Sequence, residues 1–494
     1  MRKYRKNPRF TFLFVFVLIC FQFHCLLNPI VRELLDLDPS KKKDNLFNLS
    51  ILLGLYGGPS ATITPSLGFV ILANTKIRVV FNRSMNPDSL SATLGIPLGQ
   101  TWSDTYAVND TVVLSGTIPL GTNTFLLDGA DANGFPLPTI IGSYTVLASN
   151  TNLYYVSPSG NNGNSGTSPG SAKLTIPSTI TGATAPAAIL VSEGHFPVDS
   201  GLGTQVSLVN NVSLYGGFSS DFLNRNSNLY ISKIIDTTTS VVPDTLTINA
   251  GATITATTVI DGFTIQGSSN PNVTGTSMAI YCFSGSPTIT NNRVEAGTIA
   301  NGNSAGILLE SSSAIISNNT IHGGVSTVQS TFGISVGLSS SPIITGNVIF
   351  GGIALDSAHG IYNTPHANTP TILSNTIDGG TGNISYAFNT SHPSNSVVTS
   401  NILNGGTGNV SYAIYQGAGA SDVGIYQFNT LFTSGGAIRY CLYENGGSNP
   451  ISFNGNRLFG CQTALYFDEG LNPINSITTI NGGTIGGPTY SGNY

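Results

Sequence analysis

The stretch Ala305-Gly306-Ile307-Leu308-Leu309-Glu310-Ser311-Ser312-Ser313-Ala314-Ile315-Ile316-Ser317-Asn318-Asn319-Thr320-Ile321-His322-Gly323-Gly324 holds one complete unit of a repeat. A small residue precedes an apolar step and a Ser turn follows. Then come a second apolar step, an Asn-x-Ile step and a closing Gly-Gly pair. Asparagines before such a step stand at Asn292, Asn319, Asn347, Asn375, Asn401, Asn429 and Asn456, at spacings of 27, 28, 28, 26, 28 and 27. The small residue recurs at Ala279, Gly306, Gly333, Gly360, Ala387 and Ala413, at spacings of 27, 27, 27, 27 and 26. Two anchors in phase over this length identify a repeat protein.

Three short apolar steps divided by turns predict three strands per coil. Leucine-rich repeats share the period but need Leu ladders and a helical half. Here Ile and Val hold the anchors while Gly, Pro, Ser and Thr fill the rest, which no helix tolerates. A propeller needs ~40–45 residues per unit. The expected fold is therefore all-β: a right-handed parallel β-helix over residues 150–494. Counting back through Ile260–Ile265 and Leu214–Phe218 gives about ten coils of ~27 residues. Each recurring Asn is expected to turn a corner in a left-handed conformation and bond the next Asn along the axis. That makes a structural ladder rather than a ligand site.

Of 494 residues only 41 are Asp, Glu, Lys or Arg, about a third of the usual share. Stacking explains the scarcity. Equivalent positions lie ~4.8 Å apart, where like charges repel by about 3.5 kcal/mol at an effective dielectric near 20. Nine of the 18 basic residues precede position 44, and from residue 45 onward nine basic residues face 19 acidic ones, a net of −10. Nothing there grips a phosphate backbone, so nucleic acid is excluded as a partner.

The N-terminal part reads differently. Residues 1–9 are basic and Phe10–Ile19 is a ten-residue apolar run, broken only by Thr11, ending at Cys20, the pattern of an export signal. Leu18-Ile19-Cys20 resembles the lipobox of bacterial lipoproteins, with Ile19 where that family prefers a small residue, and the resemblance implies lipidation at Cys20. An uncleaved anchor or plain secretion are the other readings. Residues 21–60 read as a helical tether. In residues 61–149 short strand-like runs alternate with turns, and Val80-Phe81-Asn82-Arg83-Ser84-Met85-Asn86-Pro87 with Trp102 resembles bacterial Ig-like modules of the S-layer type. Asp128, Asp131 and Asn133 are spaced as calcium ligands or as an Asx-rich turn, with Thr139 where a calcium loop wants Glu. Tyr154–Asn161 and Ile189–Phe196 resemble the opening of a bacterial domain-of-unknown-function family that implies a right-handed parallel β-helix.

Chemistry is sparse. Between residues 290 and 440 the acids are Glu295, Glu310, Asp356, Asp378 and Asp422, none one turn apart, and the bases are Arg293 and Arg439. Glycosidases need two nearby carboxylates, and Asp356, His359, His366 and Asp378 form the nearest grouping. No metal or cofactor is expected. Cys441 and Cys461 are close enough to pair, or stand as separate buried thiols. Tyr386 and Tyr412, 26 apart, should stack in register, and with Tyr415 they are the candidate ligand-binding residues: a sugar or protein platform if outward, an aromatic core ladder if inward. The expectation is an exported, membrane-tethered surface protein and a monomer, acting as a non-enzymatic adhesion module for glycan or host protein. The alternative is a divergent β-helix polysaccharide lyase or glycoside hydrolase.

Overall fold

Residues 58–365, 367–390, 394–417, 424–446, 449–468, 472–482 and 489–494 are described by the structure, a computed structural model. The export segment, with Cys20, and the tether to residue 57 lie outside the described residues, as do His366 and Asp422. The chain divides into two compact units: residues to 64, 76–116 and 124–141, and residues 65–75, 117–123 and 142–494.

In the first unit Ala61–Thr64, Ile77–Phe81, Thr111–Ser115 and Gly99–Ser103 form an antiparallel sheet in that spatial order, and Ser91–Leu94 pairs antiparallel with Phe125–Asp128. Alternation in Ile77–Phe81 buries Ile77, Val79 and Phe81 and leaves Arg78 outside. Asp131 does not gather ligands with its neighbours. Its Oδ1 accepts from Asn133 and Phe135 backbone N–H, both at 2.9 Å, and Oδ2 pairs with Arg83 at 3.2 Å, while Thr139 donates to Asp128. The stretch is an Asx turn.

The second unit is the β-helix. Each coil contributes one strand to each of three sheets. The first runs from Asn152–Val156 to Ser452–Asn454 and the second from Gly194–Val198 to Arg457–Leu458. The third runs from Val206–Ser207 to Asn472–Ile474, and these sheets hold eleven, ten and eleven strands. Pairing is parallel until the last strand of the third sheet, which turns back antiparallel. Each sheet sends an aliphatic row inward. Ile289, Ile316, Ile344 and Ile372 come from the first, Val294, Ile321, Ile349 and Ile377 from the second, and Ile280, Ile307, Ile334 and Ile361 from the third, all without exposure. Each buried side chain contributes roughly 1.5–3 kcal/mol.

The asparagine ladder runs the length of the repeat. Backbone N–H of Asn292, Asn319, Asn347, Asn375, Asn401 and Asn429 each donates to Oδ1 of the next Asn at 2.8–3.0 Å. Nδ2 of Asn347 donates to Ile316 O, Thr345 O and Asn375 Oδ1 at 2.9, 3.0 and 3.0 Å. The sequence expectation needs one correction. The left-handed residue is the one before each ladder Asn: Asn291, Asn318, Ser374, Ser400 and Phe428 at φ 54–59°, with glycine at 346 and 455. That residue makes the corner, which leaves the ladder Asn free to point its amide inward.

Both ends of the core are covered. Ile176 and Ile180 of the helix Ile176–Gly182 pack into the core at the start. At the far end Asn456 N–H donates to Asn493 Oδ1 at 2.9 Å and Leu458 N–H to Tyr494 O at 2.8 Å, so the C-terminal tail lies on the last coil as one more ladder step. Cys441 and Cys461 form a disulfide across 20 residues, and Cys282 is free and buried. Closing a loop of that size stabilises the chain by about 3 kcal/mol in the loop-entropy description. Reduction, or replacement of both cysteines by serine, is expected to lower the urea midpoint accordingly; an unchanged midpoint would mean the bond carries no stability.

Candidate functional site: the ringed face of the third sheet

Strand alternation in the third sheet breaks once per coil, and this break builds the site. In Ile384–Thr390 both Ala387 and Phe388 are buried in the core, so Tyr386 and Asn389 emerge on the same outer face. The same break falls at Gly360, where a Cβ would meet Ile377 Cγ2 at 2.4 Å and Ala387 O at 2.7 Å, so only glycine fits. Register then stacks two outer ranks. One is Phe332, His359, Tyr386, Tyr412 and Tyr440; the other is Tyr362, Asn389, Tyr415, Tyr443 and Phe467.

The rings pack on one another. Tyr386 and Tyr412 stack at 5.0 Å and 9°, and Tyr412 and Tyr440 at 5.2 Å and 10°. Tyr415 meets Tyr386 edge-on at 5.5 Å and Tyr412 at 5.2 Å, and stacks on Tyr443 at 5.4 Å. The three tyrosines singled out in the sequence are thus brought together, half-buried and outward. The Tyr386 and Tyr412 ring faces are taken up by neighbouring rings, His359 among them, which leaves ring edges for a ligand. Burial and neighbouring phenols hold the Tyr386 and Tyr412 hydroxyls well above their ordinary pKa, so both stay protonated donors.

His359 sits inside this stack, 5% exposed, between Phe332 at 5.1 Å and Tyr386 at 4.7 Å. Its Nε2 lies 3.0 Å from Ser357 Oγ and its Nδ1 3.4 Å from Asn389 Nδ2. Burial pushes its pKa down to about 3. Ser357 Oγ is 2.9 Å from Ser330 Oγ, which donates to Asp356 Oδ2 at 3.3 Å. Asp356 is exposed at the edge of the face.

Of the grouping read from the sequence, Asp356 reaches His359 only through Ser330 and Ser357, His366 lies outside the described residues, and Asp378 is engaged elsewhere. Asp378, on the second sheet, accepts from Gly380 N–H at 2.7 Å and Asn404 Nδ2 at 2.5 Å, so it closes its own turn. Glu295 pairs with Arg293 at 2.6 Å and Glu310 accepts from Tyr281 at 2.5 Å. No group of three or more His, Cys, Asp and Glu able to hold a metal occurs among the described residues. Ser330, Ser357 and Asn389 were not singled out in the sequence. Ser357 and His359, two apart on a strand, share a face by alternation alone, and Asn389 stands one coil from Tyr362 and from Tyr415, which was the available signal.

No protein-family model matches the chain and no curated protein does. Solved structures similar to it include the complex of XylC with xylose, at 9% identity, TM-score 0.31, covering 67% of this chain and 78% of that one. A Yersinia enterocolitica family 28 exopolygalacturonase is 10% identical, TM-score 0.24, covering 88% and 96%. The catalytic unit of a thermostable GH87 α-1,3-glucanase from Streptomyces thermodiastaticus strain HF3-3 is 11% identical, TM-score 0.18, covering 88% and 96%. On this finding the expected non-enzymatic adhesion role is set aside and the polysaccharide-processing alternative is carried forward. At such scores the likeness says nothing about chemistry, so that alternative stands or falls on the residues of this chain.

Proposed function

We propose that this chain is a polysaccharide-processing protein that takes a glycan along the ringed face of its third sheet. The reading rests on one observation: two outer ranks of rings, edged by phenol hydroxyls, rise one coil at a time past the exposed carboxylate of Asp356. The coil spacing of ~4.8 Å is close to the rise of one sugar in an extended 1,4-linked chain. Tyrosine offers such a chain an apolar edge and a hydrogen-bonding tip. In this reading the protein is exported through its N-terminal signal and tethered at Cys20, the residue 61–149 module is an Ig-like spacer, and the β-helix is of the domain-of-unknown-function type resembled by Tyr154–Asn161.

The test uses the folded protein with a panel of soluble 1,4-linked polysaccharides, reading both retardation in affinity gels and release of reducing ends or unsaturated products. Tyr412→Phe keeps the stack and removes one hydroxyl, worth about 0.5–1.5 kcal/mol, so binding to the preferred glycan is expected to weaken roughly two- to tenfold. Absence of both retention and product across the whole panel would overturn the reading.

A further inference from the structure

The two ring ranks are interrupted at two positions, His359 in one and Asn389 in the other, and the interruptions touch each other. A ladder kept only for packing would continue with a ring at position 389, as Tyr362 does one coil before and Tyr415 one coil after. We propose that Ser357, His359 and Asn389 form an ester-cleaving centre on the ringed face, with an O-acyl ester of a glycan as its substrate class. The glycan part rests on the function proposed above; the ester centre itself does not.

Three observations carry it. Ser357 Oγ and His359 Nε2 are 3.0 Å apart, the reach of a nucleophile to its base. His359 Nδ1 faces the amide of Asn389, the place where a third group orients the base in Ser-His-Asp and Cys-His-Asn sites. Asn389 is 6% exposed and its Oδ1 has no hydrogen-bond partner in the structure. Amide nitrogen and oxygen are placed by choice of rotamer. Turning this amide over sets Oδ1 against Nδ1–H, which leaves Nε2 as the acceptor for the Ser357 proton. The ring is held flat between Phe332 and Tyr386, so this orientation is fixed by packing.

The reaction balances without a cofactor. Ser357 Oγ bonds to the ester carbonyl carbon as its proton passes to His359 Nε2. The sugar oxygen leaves with that proton and the acyl group stays on Ser357. Water then attacks the acyl-serine, again through Nε2, releasing the carboxylic acid and restoring the hydroxyl. Ser330 Oγ, 2.9 Å from Ser357 Oγ, gives its proton to Asp356 and so stands beside the reacting oxygen as an acceptor, not a donor. Ser357 and His359 are the catalytic residues and Asn389 is a positioning residue. Because Asn389 is neutral, it steadies the imidazolium less than a carboxylate does, so turnover is slow and improvable.

The experiment measures p-nitrophenyl acetate and acetylated xylan hydrolysis by the full protein, together with fluorophosphonate labelling mapped by mass spectrometry. Labelling is expected at Ser357. Ser357→Ala should lose it and slow hydrolysis ~100-fold. Asn389→Asp should speed the small ester on the order of tenfold and shift its pH profile, and Asn389→Leu should slow it by about as much. Ser341→Ala, an exposed hydroxyl at another corner, should leave the rate unchanged, and circular dichroism checks that each variant is folded. Wild-type hydrolysis by folded Ser357→Ala, or labelling that spares Ser357, overturns the proposal. Turnover of the small ester without acetylated xylan keeps the ester centre and counts against the glycan reading. Glycan binding without any ester turnover does the reverse.

Discussion

Acidification from pH 7.5 to 4.5 is expected to cost the β-helix about 2.5–3 kcal/mol through His359 alone. The folded protein holds this imidazole neutral down to about pH 3, while the unfolded chain protonates it near 6.5. The folded pKa is depressed, so the unfolded state binds the proton first. The stabilising difference is full above 6.5 and is lost as pH falls toward 3, up to about 4–5 kcal/mol in all. The cause is burial between Phe332 and Tyr386. The groups around it are the Tyr362 and Tyr386 phenols, Asn389, Ser357 and, at the edge, the exposed Asp356 carboxylate. His359→Phe continues the stack with a ring that cannot titrate, so it should remove this part of the acid loss and no other. Hydrogen exchange on the strand Ser357–Asn363, compared at the two pH values, is the suited measurement because coils of a solenoid need not unfold together. Equal acid sensitivity in wild type and His359→Phe would sink the prediction.

Asn347→Ala should be among the most damaging single changes, costing roughly 3–5 kcal/mol. Its Oδ1 accepts from Asn319 N–H at 2.9 Å and Asn319 Nδ2 at 3.0 Å, and its own Nδ2 serves two carbonyls and the next Asn. Truncation leaves buried partners unpaired on both adjacent coils. Asn318→Gly is the control. Residue 318 already sits at φ 56°, which glycine adopts without strain, so its effect should stay within about 1 kcal/mol. Urea unfolding of the three proteins decides it. Comparable losses at 318 and 347 would mean that the ladder amides carry no special weight.

The rows of Ile289 to Ile372 and of Asn292 to Asn456 were legible in the sequence because parallel in-register stacking turns contact along the axis into a period of about 27 residues. The same logic put Tyr386 beside Tyr412. The corner residue was misjudged by one position because a period fixes which residues stack, not which one of a neighbouring pair bends the chain. Whether Cys441 meets Cys461, and how the tail from Tyr490 covers the last coil, lay beyond the repeat altogether.

What the sequence determined by itself is everything that repeats: the three-strand coil, its aliphatic interior, the asparagine ladder and the scarcity of charge that stacking enforces. What only the tertiary structure decided is everything lateral to the axis. Tyr386 and Tyr412 face outward because the strand breaks its alternation at Ala387 and Ala413. The same breaks bring Asn389 onto the face that His359 and Ser357 already occupy. A local kink of the backbone leaves no period behind it, so the polar centre of that face could be found only where three side chains from two coils converge.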